Sequence, residues 1–348
     1  MLLSRKNKHR NPMWEERWET FRNHKRGFYS LWIFSILFVL SLFAEIIAND
    51  KPLVVNYDSG WYFPIAKPYA ETRFGGEFET EADYTDPYVV ELIEEKGFLI
   101  WPLIRFSYDT INFDVVGSVP SAPSEANLLG TDDKGRDVLA RVIYGFRISV
   151  LFGFVLTIVS SVIGVAVGAS QGYYGGWLDL FGQRFIEVWS GMPTLFLLII
   201  LSSFVEPNFW WLLGIMVLFS WMGLVGIVRA EFLRCRNFDY VRAAQAMGVD
   251  DKRIMWRHML PNAMVASLTM MPFILSGSVT TLTSLDFLGF GLPAGSPSLG
   301  ELLAQGKANL QAPWLGLSAF AVLSIMLTLL VFIGEAVRDA FDPHQKGH

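Results

Sequence analysis

Long stretches of apolar side chains without a formal charge constrain this chain more than any other feature of its sequence. Five stretches lack Asp, Glu, Lys and Arg over eighteen or more residues: 148–170, 188–205, 209–228, 262–285 and 313–334. A sixth, 31–48, contains only Glu45. About 20 such residues cross the hydrocarbon core of a bilayer as a helix, in which all backbone polar groups are paired. The sequence therefore predicts an all-α polytopic membrane protein with six transmembrane helices.

The predicted helices divide the chain into segments. We place the helices at 31–48, 148–170, 185–205, 209–228, 262–286 and 313–334. A basic segment, 1–30, precedes the first helix, and a long polar region, 49–137, separates that helix from a core at 138–336. Within the core, the loop 229–261 joins the fourth and fifth helices. A tail, 337–348, follows the last one.

The charges of these segments predict which side of the membrane each one occupies. Segment 1–30 has eight Lys and Arg against three Glu, and loop 229–261 has seven basic residues against four acidic ones. Region 49–137 has seventeen acidic residues against seven basic ones, a net charge of about −10. Because basic segments stay in the cytoplasm, we expect the loop and both termini to be cytoplasmic and region 49–137 to be periplasmic. The first apolar stretch is then a retained signal anchor.

Two of the polar segments show signs of local structure. Trp14, Trp18 and Phe21 recur at helical spacing among basic residues, which favours an amphipathic helix on the anionic inner leaflet; a disordered basic tail is the alternative. Region 49–137 contains about a dozen aromatic residues, too many for a solvated chain. We predict a small folded cap there, with short strands near 53–55 and 62–63 and a short helix at 88–95.

The loop between the fourth and fifth predicted helices contains a pattern for two short helices and a hinge. Asp239 suits an N-cap, Gly248 suits a left-handed helix end, and Asp250 suits the cap of a second helix that stops at Pro261. An apolar stripe at i, i+3, i+4 and i+7 lies on the first of these helices, at Tyr240, Ala243, Ala244 and Met247. Its small residues would let another protein approach the helix backbone closely.

This loop resembles the "EAA" segment of permease subunits in binding-protein-dependent ABC importers. The resemblance is carried by Ala243-Ala244, by Gly248, and by Leu260-Pro261 twelve residues later. It departs at Arg242, where the family has an acid, and at His258, where it has an aliphatic residue. Segments 130–137 (GTDDKGRD) and 284–291 (SLDFLGFG) are similar to two further signatures of the family. The chain is thereby identified as similar to the second permease of the oligopeptide/dipeptide (OppC/DppC-like) branch, in its YejE-type group.

The resemblance implies a function and a set of partners. A second, non-identical permease subunit would complete the translocation path as a heterodimer. A cytoplasmic ABC ATPase would bind ATP and Mg²⁺, so this chain would hold no cofactor, and a periplasmic binding protein would deliver peptides, including microcin C. The alternative is another small solute of the same branch, such as nickel. The residues expected to couple the chain to the ATPase are Tyr240, Arg242, Ala243, Ala244, Met247, Gly248, Leu260 and Pro261.

Other functional classes lack the residues they need. The spelling G-x-S-x-G at 168–172 follows a helical stretch rather than a strand, and the glycine-rich segment 300–308 lacks the Ser or Thr of a phosphate loop. The five His have no metal-ligand spacing, and a single Cys235 excludes an internal disulfide. We therefore expect neither catalytic nor metal-binding residues, against the rival classes of a membrane-embedded enzyme and a passive channel. Asp286, Pro272 and Pro193 are the candidates for the substrate path, since acids and helix breaks at membrane depth are often functional.

Overall fold

The computed structural model describes residues 12–115, 117–202, 204–205 and 208–341. Its helices are α1 Pro12–Asn23, α2 Lys25–Leu42, α3 Ala44–Ile47, α4 Pro87–Glu94, α5 Val138–Tyr174, α6 Gly176–Ser190, α7 Thr194–Ser202, α8 Phe209–Ser220, α9 Met222–Cys235, α10 Asp239–Ala246, α11 Asp251–Arg253, α12 Leu260–Phe287, α13 Leu299–Ala308 and α14 Pro313–Phe341. A 3₁₀ turn lies at Glu71–Phe74 and a π-helical segment at Ile254–Met259. The strands are β1 Val54–Tyr57, β2 Gly60–Tyr62 and β3 Gly97–Ile100.

Five helices in the described part of the chain are long and apolar enough to cross a membrane: Lys25–Leu42, Val138–Tyr174, Phe209–Cys235, Asp251–Phe287 and Pro313–Phe341. A sixth candidate consists of α6 and α7, which meet at a bend of 68°. The chain is thus a mostly helical polytopic membrane protein with five or six spans. The span predicted at 185–205 is not one helix: its first residues belong to α6, and α7 begins at Thr194.

The bend between α6 and α7 follows from Pro193. Proline has no N–H to donate, and its ring disfavours helical conformation at the residue before it. Its carbonyl instead accepts the first hydrogen bonds of α7, from the N–H groups of Phe196 and Leu197. The kink predicted at Pro193 is therefore confirmed. Pro272, in contrast, lies inside α12, whose helical conformation continues from Leu260 to Phe287.

The chain folds into two compact units. One contains the described residues up to Ser35, Phe152–Thr280 and the described residues from Ile325; the other contains Ile36–Leu151 and Thr281–Ser324. In the first unit, α5 packs through glycines against α9 and against Trp221, which directly precedes α9. A Cβ at Gly164 would lie 2.6 Å from the Trp221 carbonyl oxygen, and one at Gly168 would lie 2.8 Å from that of Val225. Gly172 meets Phe232 in the same way. Glycines at this spacing let two helix backbones approach closely.

The fourth glycine of this series does not take part in the packing. Gly176 lies beyond the end of α5 with φ at +55°, and an added Cβ there would meet nothing within 4 Å. Close packing through glycines at every fourth residue is therefore present at Gly164, Gly168 and Gly172, and it ends with α5.

The second unit contains the sheet, which departs from the all-α class. Antiparallel strands lie in the order β2-β1-β3, with Val55 opposite both Tyr62 and Leu99. The inner face packs on α4 and the 3₁₀ turn, and its buried core is Val55, Tyr57, Phe74, Ala82, Tyr84, Val89 and Ile93. Helix α4 begins after Asp86, whose carboxylate accepts the Tyr88 N–H. The folded cap, its two predicted strands and its helix are confirmed; β3 was not predicted.

A buried ion network in the second unit explains segment 130–137. Gly130 and Gly135 have positive φ, and the turn between them brings Arg136 back to Asp132, with the guanidinium 2.6 Å from the carboxylate. Arg141 and Glu301 complete the network at 2.9 Å from each other. Removing one member of such a buried group leaves an unpaired charge, which costs several kcal/mol. The network therefore holds the turn, the start of α5 and α13 in one arrangement.

The glycine packing predicts opposite effects for two substitutions by alanine. Gly168→Ala places a Cβ against the backbone of α9, which must move away, so the thermal unfolding temperature in detergent should fall by several degrees. Gly226→Ala is the matched control. It lies in α9 with nothing within 4 Å, and a helical Gly→Ala change there should keep or raise stability by up to about 1 kcal/mol. Equal unfolding temperatures for the two variants would contradict the close packing.

Candidate coupling site

The predicted two-helix loop is present as α10, a hinge at 247–250, and a second helical segment. Helix α10 begins at Asp239, with Phe238 in extended conformation at the N-cap position and no side-chain cap. The N-cap predicted at Asp239 is therefore wrong by one residue. As the first helical residue, Asp239 still places its negative charge beside the positive end of the helix dipole.

One face of α10 is anchored in the first unit. Val241 and Ala244 are buried and belong to a core that includes Phe232 of α9 with Ile254 and Met259 of the following segment. Three large members of this core are fully buried, with 0% exposure each for Phe232, Ile254 and Met259. Burial of this area fixes α10 against its neighbours, because apolar area removed from water stabilises by about 25 cal/mol per Å².

The other face of α10 is open. Tyr240 is 40% exposed and Met247 is 75% exposed, and Ala243 between them is exposed as well. Three of the four residues of the predicted stripe thus lie on the accessible face, while Ala244 turns into the core. Arg242 is also exposed, and the described residues offer its guanidinium no ion-pair partner. The result is a small apolar surface beside an unpaired positive charge.

The hinge is a left-handed helix end, as predicted. Gly248 has φ at +76°. Its N–H donates to the Gln245 carbonyl at 2.9 Å, and the Val249 N–H donates to the Ala244 carbonyl at 3.1 Å. These are the two hydrogen bonds of a Schellman motif, and Val249 packs on the core as the motif requires. Because a Cβ at Gly248 would meet nothing within 4 Å, the preference for glycine here comes from backbone conformation alone.

The second helix does not stop at Pro261, contrary to the prediction. Asp250 does stand at its N-cap position, without a side-chain cap, but α11, the π-helical segment and α12 then run continuously from Asp251 to Phe287. A proline in a regular helix clashes with the carbonyl four residues earlier. The wider turns at Ile254–Met259, directly before Leu260 and the exposed Pro261, accommodate that ring.

Two hydrogen bonds between side chains tie α10 to its surroundings, and neither bond was predicted. The Tyr173 hydroxyl at the end of α5 donates to Asp251 at 2.5 Å and accepts from Gln245 at 3.5 Å. Asn262 in the first turn of α12 donates to the Tyr240 hydroxyl at 3.2 Å. Burial raises the pKa of Tyr240, so its hydroxyl keeps its proton at neutral pH. Hydrogen bonds thus link α10 directly to two long helices, α5 and α12.

The three candidates for the substrate path lie apart in the chain and in different settings. Pro193 makes the bend between α6 and α7, and Pro272 lies within α12. Asp286 is half-buried near the end of α12, where both carboxylate oxygens accept internal hydrogen bonds, from the Leu292 N–H at 2.7 Å and the Ser298 hydroxyl at 2.5 Å. Ser298 in turn caps α13. The structure thus shows Asp286 organising the loop 288–298.

Within the described part of the chain, no three His, Cys, Asp or Glu side chains come close enough to hold a metal ion. Cys235 is buried in the core under α10, with 1% exposure. This burial shields the thiol from aqueous reagents, so a chemical probe of sidedness needs a cysteine at another position.

Comparison with known proteins identifies the family. The family model "Binding-protein-dependent transport system inner membrane component" matches residues 160–347, and the model "N-terminal TM domain of oligopeptide transport permease C" matches residues 12–64. The chain belongs to this family of inner-membrane permeases. The inner membrane ABC transporter permease protein YejE of Escherichia coli is 66% identical over 96% of this chain and 98% of its own length.

Two further relatives and one solved structure are also similar to this chain. The peptidoglycan transport system permease protein YejE of Agrobacterium fabrum is 56% identical over 96% of this chain and 94% of its own length. The oligopeptide transport system permease protein OppC of Lactococcus lactis is 34% identical over 64% and 77%. The inward-facing MetNI methionine ABC transporter matches 58% of this chain and 96% of its own with a TM-score of 0.50 and 17% identity, a likeness in fold.

Family membership fixes the class of function. The chain is a non-enzymatic permease subunit of an ABC transporter, and it is a multi-pass protein of the bacterial inner membrane. The membrane-embedded enzyme and the passive channel are thereby set aside.

The Schellman hinge predicts which side chains position 248 tolerates. Gly248→Val should cost on the order of 1–2 kcal/mol locally, because a β-branched residue disfavours left-handed conformation. Hydrogen exchange of the α10 amides should speed up by about tenfold in this variant and stay unchanged in α14. Gly248→Asn is the matched control, since Asn adopts the left-handed region more readily, and its exchange should remain near the wild-type rate. Equal exchange in both variants would show that the hinge conformation does not hold α10.

Proposed function

We propose that this chain is one of two permease subunits of an importer that carries peptides across the inner membrane. The observation that supports this most strongly is the 66% identity to YejE along almost the whole of both chains. Relatives named for oligopeptide and dipeptide transport support the substrate class, and the YejE resemblance adds microcin C. The name of the Agrobacterium relative favours a second candidate, the peptides of peptidoglycan fragments. A non-peptide solute such as nickel remains the alternative within the branch.

The exposed face of α10 is proposed as the surface that a cytoplasmic ABC ATPase binds. Tyr240, Ala243 and Met247 supply an apolar area with little side-chain bulk, and Arg242 supplies a positive charge for an acidic group of the partner. Ala244 and Val241 hold the helix from beneath. ATP and Mg²⁺ belong to that partner, where hydrolysis takes place.

Movement of the ATPase would then tilt α10 about the hinge at Gly248. Because α11 to α12 is continuous, Leu260 and Pro261 pass the motion on within one rigid rod instead of bending as a second joint. The Tyr240–Asn262 and Tyr173–Asp251 hydrogen bonds carry the same motion to α12 and α5. We also propose that three features line the translocation path: the bend at Pro193, the stretch around Pro272, and the loop shaped by Asp286.

The proposed topology places both termini and α10 in the cytoplasm and region 49–137 in the periplasm. The opposite charges of these segments support it. On the outer face, the acidic cap would meet a periplasmic binding protein, and the second permease subunit would close the path in the membrane as a heterodimer.

Introduced cysteines test this topology. In a Cys235→Ser background, Met247→Cys should resist a membrane-impermeant maleimide in intact spheroplasts and react after permeabilisation, because position 247 is 75% exposed. Phe78→Cys, at a position with 62% exposure in the cap, should react in intact spheroplasts. Reaction of Met247→Cys from outside would invert the topology and remove α10 from reach of any cytoplasmic ATPase.

Reconstituted transport tests the function together with the docking face. Proteoliposomes that contain both permeases and the ATPase should take up labelled peptides when ATP and the binding protein are present. Ala243→Asp places a carboxylate in the proposed interface, where an unpaired charge is costly, so uptake should fall by at least about tenfold. Ala243→Ser is similar in size and uncharged and should keep most of the uptake. Full uptake by Ala243→Asp at normal membrane levels would exclude α10 as the coupling element.

A further inference from the structure

A cavity of about 500 Å³ lies in the second unit, near the start of α5. Its walls come from three segments of the chain: Tyr108 and Asp109 from the stretch after the sheet, Tyr144, Arg147 and Ile148 from α5, and residues 294–297 from the loop before α13. Its volume lies in the range of sites for small organic ligands. None of the residues predicted from the sequence lines it.

Most of the polar groups in this cavity are already paired. Arg147 donates to both carboxylate oxygens of Glu45 at 2.8 Å, and its guanidinium lies 4.8 Å from the centre of the Tyr144 ring. The Tyr144 hydroxyl donates to the Ala48 carbonyl at 2.9 Å. The positive charge of Arg147 is thus balanced by Glu45, and Tyr144 is fixed in place.

Asp109 is the exception. Its carboxylate is exposed, and the described residues provide it with no hydrogen bond and no ion pair. Beside it, the Tyr108 ring lies 5.0 Å from that of Tyr144 at an angle of 50°. Burial and the charge of Asp109 raise the pKa of Tyr108, so this residue stays neutral. Because the charges of Arg147 and Glu45 cancel, Asp109 gives the cavity one net negative charge beside an aromatic ring.

The walls are held rigidly from behind by Arg141. This fully buried side chain donates to the carbonyls of Ser296 at 3.0 Å, Tyr108 at 3.3 Å and Gly295 at 3.5 Å. All three acceptors belong to residues of the cavity wall. Glu301 anchors the same guanidinium at 2.9 Å. The cavity is therefore formed before any ligand arrives, which reduces the entropy lost on binding.

The geometry points to a binding site for a primary ammonium group, which Asp109 would pair with and the Tyr108 ring would cover. A carboxylate next to an aromatic face is the combination that binds organic cations, because the charge pair and the cation–π attraction act on the same group. Resting on the proposed function, the inference assigns this ammonium to the N-terminus of the imported peptide. The site would thus favour peptides with a free N-terminus over blocked ones.

The test compares peptides that differ only in that ammonium. A tripeptide labelled at its C-terminus, free or N-acetylated, is titrated against the purified complex by fluorescence anisotropy, and its uptake is measured in proteoliposomes without amine-bearing lipids. Asp109→Asn should weaken binding of the free peptide by about tenfold, the size expected for one charge-assisted hydrogen bond, and leave the acetylated peptide unchanged. Asp114→Asn, an exposed acid outside the cavity, is the matched control and should change neither.

Two substitutions of Tyr108 test the contribution of its aromatic ring. Tyr108→Phe keeps the aromatic face and should bind the free peptide nearly as well as wild type, whereas Tyr108→Leu should lose several-fold. Equal losses for free and acetylated peptides in Asp109→Asn, or no loss at all, would overturn the site.

The outcomes separate this site from the proposed function. Binding that is selective for the free peptide but is not followed by uptake would support the site and contradict the importer. Uptake that Asp109→Asn leaves unchanged would support the importer and contradict the site. Adding phosphatidylethanolamine tests the other source of a primary ammonium. If that lipid abolishes the preference for free peptide, the cavity belongs to the headgroup and the assignment to peptides is wrong.

Discussion

The hydrocarbon core of a bilayer offers no hydrogen bonds, and the rest of this structure depends on that constraint. Inside the membrane the chain must satisfy its own backbone, which it does with long helices such as Val138–Tyr174 and Asp251–Phe287. Strands, open turns and buried ion networks occur where the chain leaves those helices. The sheet, the turn at Gly130 and the α10 hinge are all of this kind. These three features therefore lie at or beyond the ends of the long helices.

Helix α10 shows how a small element is both held and left available. Val241 and Ala244 bury one face in a core of large side chains, while Tyr240, Ala243 and Met247 remain open on the other. A free helix of eight residues would be marginal in water. Here the core and the Schellman motif supply most of the stability, and the outer face adds the hydrogen bond between Tyr240 and Asn262. This arrangement suits a docking surface, because the exposed side chains are then available to a partner protein.

Local rules predicted the features that depend on local chemistry. The apolar lengths of the spans, the left-handed Gly248, the bend at Pro193 and the strands near Val55 and Tyr62 all follow from neighbouring residues. The failures have a common cause in tertiary structure. Pro261 was expected to end a helix, but the π-helical segment before it accommodates its ring and the helix continues. Asp239 was expected at the N-cap of α10, but Phe238 occupies that position. The surroundings of Tyr173 and Asp109 come from residues distant in sequence, and no local sequence pattern predicts such contacts.

The π-helical segment at Ile254–Met259 has a consequence for how the family can vary. A π-helical turn is equivalent to an α-helix with one residue inserted, so loss of a single residue there would restore regular α-helix and return the Pro261 ring to a clash with the carbonyl four residues before it. Every side chain downstream would then rotate by about 100° relative to α10. Asn262 would leave Tyr240, and a different stripe of α12 would face its neighbours. One residue at this position thus sets the rotational phase between α10 and the long helix α12.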